Sequence, residues 1–170
     1  MMVMEAKDRG EAPLSPADQF LTRHPLDLEA KQLEWQHLKG GSRFDYPIDY
    51  SVAVTAVDRD AGLIEFIARW APNAYCHYHR HLGRTMSRVL QGEHHIVETT
   101  DTQTLHKTRR PGFQGQSPAG EFHMEYGGVR GATVLFLCEA VDANVFEILA
   151  RDGTVIATTT LEDFVSGRLR

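Results

Sequence analysis

The sequence predicts an all-β protein, an antiparallel barrel or jelly roll over residues 46–170, preceded by an arm or short helix within residues 1–45. Three observations predict it. Apolar and polar residues alternate with period two in short stretches, as in SVAVTAV at 51–57 and LIEFIARW at 63–70. Gly, Pro and Asp-Gly punctuate those stretches at short intervals. No strand–helix alternation of the kind that builds a parallel sheet is visible, so many short strands must pack against one another. At 170 residues the chain fits one domain.

The elements follow in order. EAPLSP at 11–16 reads as a flexible lead-in, and Pro25 disfavours helix before it. DLEAKQLEWQHL at 27–38 can form a short helix or an irregular arm, which Gly40 and Gly41 end. The first hairpin joins 51–57 to 63–70 through Asp60–Gly62. Further strands are predicted at 86–90, 94–99, 122–126, 133–138 and 145–149. Asp152-Gly153 is a two-residue hairpin signal between 146–149 and 154–157. Thr160 and Asp163 have the form of a capping box, so a short helix is predicted to close the chain.

Bulk properties exclude several functions. The net charge of −5 argues against a nucleic-acid surface. No apolar run approaches the roughly 20 residues of a membrane helix. The start, MMVME, lacks the apolar stretch of a secretory signal, which makes a cytoplasmic location the expectation. Cys76 and Cys138 have unrelated spacing and are read as two buried thiols in a reducing compartment.

Chemistry concentrates in two segments, NAYCHYHRH at 73–81 and GFQGQSPAGEFH at 112–123. Side chains two apart on a strand share a face, so His77, His79 and His81 point the same way and two of them can grip one ion. Imidazole suits Fe, Zn, Cu and Ni, so residue type alone does not choose the metal.

Read together, the segments resemble the cupin family, whose motifs are G(x)5HxH(x)3-4E(x)6G and G(x)5PxG(x)2H(x)3N. Gly112, Pro118, Gly120 and His123 fit the second motif, and His79, His81 and Gly92 fit the first. Asn73 stands for the opening glycine, Thr85 for the glutamate and Gly127 for the final asparagine. The chain also resembles the 2,4'-dihydroxyacetophenone dioxygenase-like cupins, in PNAYCHYHRH at 72–81 and FEILARDGTV at 146–155. That resemblance covers roughly residues 63–165. It implies a double-stranded β-helix, and it implies a carboxylate ligand from the strand EHHIVE at 93–98, where His94, Ile96 and Glu98 share a face.

The implied ligand set is His79, His81, Glu98 and His123. His77 is a rival inner histidine, His94 can line the pocket, His95 should face outward, and His106 is read as lying in a solvated basic loop. His24 and His37 are assigned to packing in the arm. Val89 and Phe136 are placed in the cavity by parity, and Tyr126 either orients substrate or packs. Arg84 and Arg88 either are solvated or clamp an anionic substrate.

The resemblance further implies a mononuclear non-heme metal, Fe(II) first and Zn, Ni or Mn as alternatives. It implies a dioxygenase that cleaves a C–C bond of a small hydroxyketone or diketone with O2. A zinc-bearing sensor or a non-redox enzyme is the alternative. Open edge strands, and an arm with nothing of its own to cover, predict a homodimer.

Overall fold

The computed structural model describes residues 19–20 and 32–169. Among these residues ten strands form: β1 (Gln36–Lys39), β2 (Asp49–Asp58), β3 (Leu63–Trp70), β4 (His79–His81), β5 (Thr85–Thr99), β6 (Thr104–Arg109), β7 (Gln114–Ser117), β8 (Phe122–Glu139), β9 (Asn144–Leu149) and β10 (Val155–Thr160). A short helix, α1 (Leu161–Val165), follows β10. The strands curl in the order β1-β2-β3-β8-β4-β9-β10, and β5 pairs with β6, β7 and β8. This is the predicted all-β jelly-roll barrel. Among the described residues, no helix is long and apolar enough to cross a membrane.

The long β8 unites the structure. Its first residues pair with β4, residues 124–127 pair with β5, and residues 132–138 run between β3 and β5. The predicted strands at 122–126 and 133–138 are therefore one, as are those at 86–90 and 94–99. Glycine permits this continuity. Gly92 and Gly131 take left-handed φ values of 71° and 76° where the β5–β8 register shifts. A Cβ on Gly92 would stand 2.1 Å from the Gly131 carbonyl oxygen, so the strands bulge past each other without breaking.

Parity along β3 and β8 sorts the core into two layers. Ile64, Phe66, Ala68, Trp70, Val134 and Phe136 point into the barrel. Ile67, Leu135 and Leu137 point outward and are covered by Phe20, Leu33 and Trp35. At these three described positions the arm covers its own barrel, where the sequence reading gave it nothing of its own to cover. Phe20 is fully buried, which contributes roughly 1.5–3 kcal/mol, and Arg69 lies 4.3 Å from the Trp35 ring centre.

Other elements also depart from the sequence reading. Residues 36–39, read as the end of a helix or irregular arm, form β1, because pairing with β2 satisfies their backbone and buries Leu38. Residues 104–109, read as a loop, form β6 against β5. Polar and solvated side chains hid this strand from any apolar alternation. The lead-in at 11–16, His24, Pro25 and residues 27–31 lie outside the described residues.

The C-terminal predictions match. Gly153 has φ 85° in the turn between β9 and β10, and Thr154 N donates to Asp152 Oδ1 at 2.9 Å. Thr160 caps α1: its Oγ1 accepts from Asp163 N, and its own N–H donates to the Asp163 carboxylate. The helix buries Leu161 and Phe164, and the Phe164 ring lies 4.9 Å from Phe66, closing one end of the barrel.

Candidate metal centre

His79 lies directly opposite His123 in the β4–β8 ladder, and His81 is two residues along on the same face. All three are buried, and their candidate ligand atoms lie within 4.8 Å of one another. His79 Nε2 and His81 Nε2 are 3.0 Å apart.

The opposite edge of each ring is held by an acceptor. His79 Nδ1–H donates to the His77 carbonyl oxygen at 2.7 Å. His123 Nδ1 faces a Glu121 carboxylate oxygen at 3.3 Å. His81 Nδ1 meets Thr85 Oγ1 at 2.9 Å, while that hydroxyl directs its hydrogen toward Cys138 Sγ at 3.6 Å. A proton on each Nδ1 would leave a lone pair on each Nε2, the arrangement that prepares imidazole to bind a metal. Burial drives His79 down to about 4 and His81 well below its ordinary value, with neighbouring histidines acting in the same direction.

These donors fit a metal ion. Two neutral Nε2 lone pairs facing each other at 3.0 Å repel unless a cation lies between them. Among the described residues, the buried His123 Nε2 has no hydrogen-bond partner. Ligands about 2.1 Å from a common ion are separated by about 3.0 Å at right angles and about 3.4 Å at tetrahedral angles.

Glu125 completes the cluster. It is buried, with Oε1 3.3 Å from His123 Nε2 and 3.2 Å from His94 Nε2, and Oε2 3.6 Å from His79 Nε2. Burial alone would raise its pKa, but His123 and His94 outweigh it and hold the carboxyl well below the usual range. Burial likewise acts to lower His123, and Glu125 and Glu121 reverse the effect and raise it. The sequence reading missed Glu125. Its signal was parity, since it stands two residues after His123 on one strand.

Glu98 belongs to a different group, with Glu121 and His123, and its Oε1 bonds Lys107 Nζ at 2.6 Å. His77 lines the cavity and its Nδ1 pairs with the Tyr50 hydroxyl at 3.0 Å. His94 is fully buried against Trp70. His95 faces outward, as predicted. His37 is exposed and bonds Asp49 at 2.7 Å. Tyr126 packs outside the barrel, stacked on His95. Arg84 is exposed and paired with Glu139, and Arg88 donates to the Phe20 carbonyl oxygen, so neither reaches the cavity. Cys76 and Cys138 are buried free thiols, and burial pushes Cys138 up to about 12.

Beside the histidines lies a cavity of about 40 Å3, walled chiefly by Phe66, Trp70, Phe136, Phe146, Ile148 and Phe164. Phe136 lines it as parity predicted, and Val89 is buried in the surrounding core. An apolar chamber beside an ion strengthens charge interactions within it.

No family model matches the chain, and no curated protein matches it. Solved structures do. Acetylacetone dioxygenase from Acinetobacter johnsonii superposes with a TM-score of 0.62 at 11% identity, covering 99% of this chain and 97% of that one. An RmlC-like cupin from Ralstonia eutropha JMP134 gives 0.61 at 14% identity, covering 79% and 78%. A cupin 2 conserved barrel domain protein from Rhodopseudomonas palustris gives 0.57 at 13%, covering 71% and 80%. Strand order, curled sheet and these matches agree that the chain has the cupin fold.

Proposed function

We propose that this protein is a mononuclear non-heme iron dioxygenase that cleaves a C–C bond of a small hydroxyketone or diketone. The observation that carries the proposal is the convergence of three imidazole Nε2 lone pairs on one buried point beside an apolar cavity. The likeness in fold to acetylacetone dioxygenase supports the substrate class.

His79, His81 and His123 would hold the ion, with Glu125 as the fourth donor. Glu98 would act from behind His123, through the Glu121 carboxylate. Bound Fe(II) would supply the oxygen chemistry that splits the carbon skeleton. Three neutral imidazoles and one carboxylate leave a divalent ion with one net positive charge. That charge matches a substrate bound as a monoanionic enolate.

The remaining residues select and orient. Tyr50 and His77 are polar groups in a mainly apolar chamber, and burial keeps the Tyr50 phenol protonated by raising its pKa well above the ordinary value. Where His77 Nδ1 carries the proton and donates to the Tyr50 oxygen, the phenol O–H is free to donate to a substrate oxygen. The aromatic wall excludes bulk water. A small cavity favours a compact substrate over a bulky one.

The test is elemental analysis of the chain purified without added metal or chelator, then oxygen uptake after anaerobic Fe(II) loading. Iron near one per chain, with uptake triggered by a hydroxyketone or diketone, is the expected result. Tightly bound zinc with no oxygen consumption would transfer the site to a non-redox enzyme or a sensor. Failure of the histidine cluster to bind any metal would overturn the proposal.

A further inference from the structure

A second group of donors stands on the outside of the barrel, on three adjacent strands. In the ladders His95 lies opposite Thr108 of β6 and Tyr126 of β8, and His106 lies opposite Val97. Parity sends His94 and Glu125 inward, so His95, His106 and Tyr126 share the outer face. His106 Nε2 is 3.1 Å from His95 Nδ1 and 3.0 Å from the Tyr126 hydroxyl oxygen. Thr108 Oγ1 lies 3.2 Å from the same His95 nitrogen.

These separations match the roughly 3.0 Å between neighbouring ligands of an ion held at about 2.1 Å. The rings are also preorganised. Tyr126 stacks on His95 at 4.5 Å with only 8° between planes, and it also packs on Tyr75 at 4.8 Å. Solvent reaches His106, so water can complete the coordination shell. Partial burial, with His106 beside it, lowers the His95 pKa and keeps that imidazole neutral at physiological pH. The nearby Glu93 and Arg110 pair with each other at 3.0 Å, so neither is an uncompensated charge.

We propose that this outer face is a second transition-metal site, in which His95 Nδ1 and His106 Nε2 bind a late first-row divalent ion, Zn(II), Cu(II) or Ni(II). Tyr126 Oη is the weaker third donor, and soft or borderline ions are selected over Mg(II) or Ca(II) by the two imidazoles. The ion ties the edge strand β6 to β5 and β8. The proposal is independent of what the inner cluster binds.

The experiment is calorimetric titration of the untagged full chain with Zn(II), in the natural sequence and in His95→Ala and His106→Gln. His106 is exposed on an edge strand, so His106→Gln preserves the fold, and circular dichroism checks both variants. The unsubstituted chain should bind one more equivalent than either variant, or bind that equivalent at least tenfold more tightly. Equal stoichiometry and affinity across the three proteins would overturn the proposal.

Discussion

The neutrality of the inner histidines can be tested through the pH dependence of stability in the metal-free chain. His79 is buried, and its folded pKa of about 4 lies below the ordinary 6.5. Between those values the unfolded chain binds more protons than the folded one, so stability rises with pH in that window and is lost as pH falls through it. For this one imidazole the loss between pH 7.5 and pH 5 is about 2 kcal/mol. At pH 5 the size of the loss is set almost wholly by protonation of the unfolded imidazole. His81, lowered by burial and by His79, acts in the same direction, whereas His123, raised by its carboxylates, opposes it. Comparison with His79→Leu isolates the His79 contribution, because costs independent of pH cancel. Urea unfolding in chelator, followed by tryptophan fluorescence, should show the variant losing about 2 kcal/mol less than the natural chain between the two pH values. Equal losses in the two proteins would mean that His79 carries a proton in the fold. The reading of facing lone pairs would then be refuted.

Three more predictions concern the ligands, their support and assembly. Glu125→Gln should weaken metal binding at least tenfold, while Glu98→Gln should keep the stoichiometry, both read by competition with a chromophoric chelator; the reverse order would make Glu98 the working ligand. Thr85→Val removes the acceptor from His81 Nδ1 and should cost about 10–100-fold in metal affinity without unfolding the chain; an unchanged affinity would show that the hydroxyl does not orient the ring. Pairing through open strand edges should give a homodimer, and light scattering at micromolar concentration that finds only monomer would exclude it.

Much of the architecture was legible locally. Alternation over 51–57 and 63–70 became β2 and β3, Asp152-Gly153 became the β9–β10 turn, and Thr160 capped the last helix. Each depends on contacts between residues close in sequence, which is why pattern alone identified them. The resemblance to the cupin motifs singled out His79, His81 and His123 before any coordinates did, and two-residue parity puts the first two on one face. Other features depend on partners distant in the chain. Strand β6 has no apolar face and exists because β5 offers it a ladder. Phe20, Leu33 and Trp35 of the arm form an outer layer because β3 and β8 expose Ile67, Leu135 and Leu137. The placement of the two carboxylates is the sharpest case. Both Glu98 and Glu125 have an inward parity available in the sequence, but only the β4–β8 register brings Glu125 within 3.6 Å of His79, while Lys107 across the β5–β6 pair holds Glu98. Periodicity along one strand assigns a side chain to a face; its distance from a side chain on another strand is set by register and barrel curvature, which tertiary packing decides.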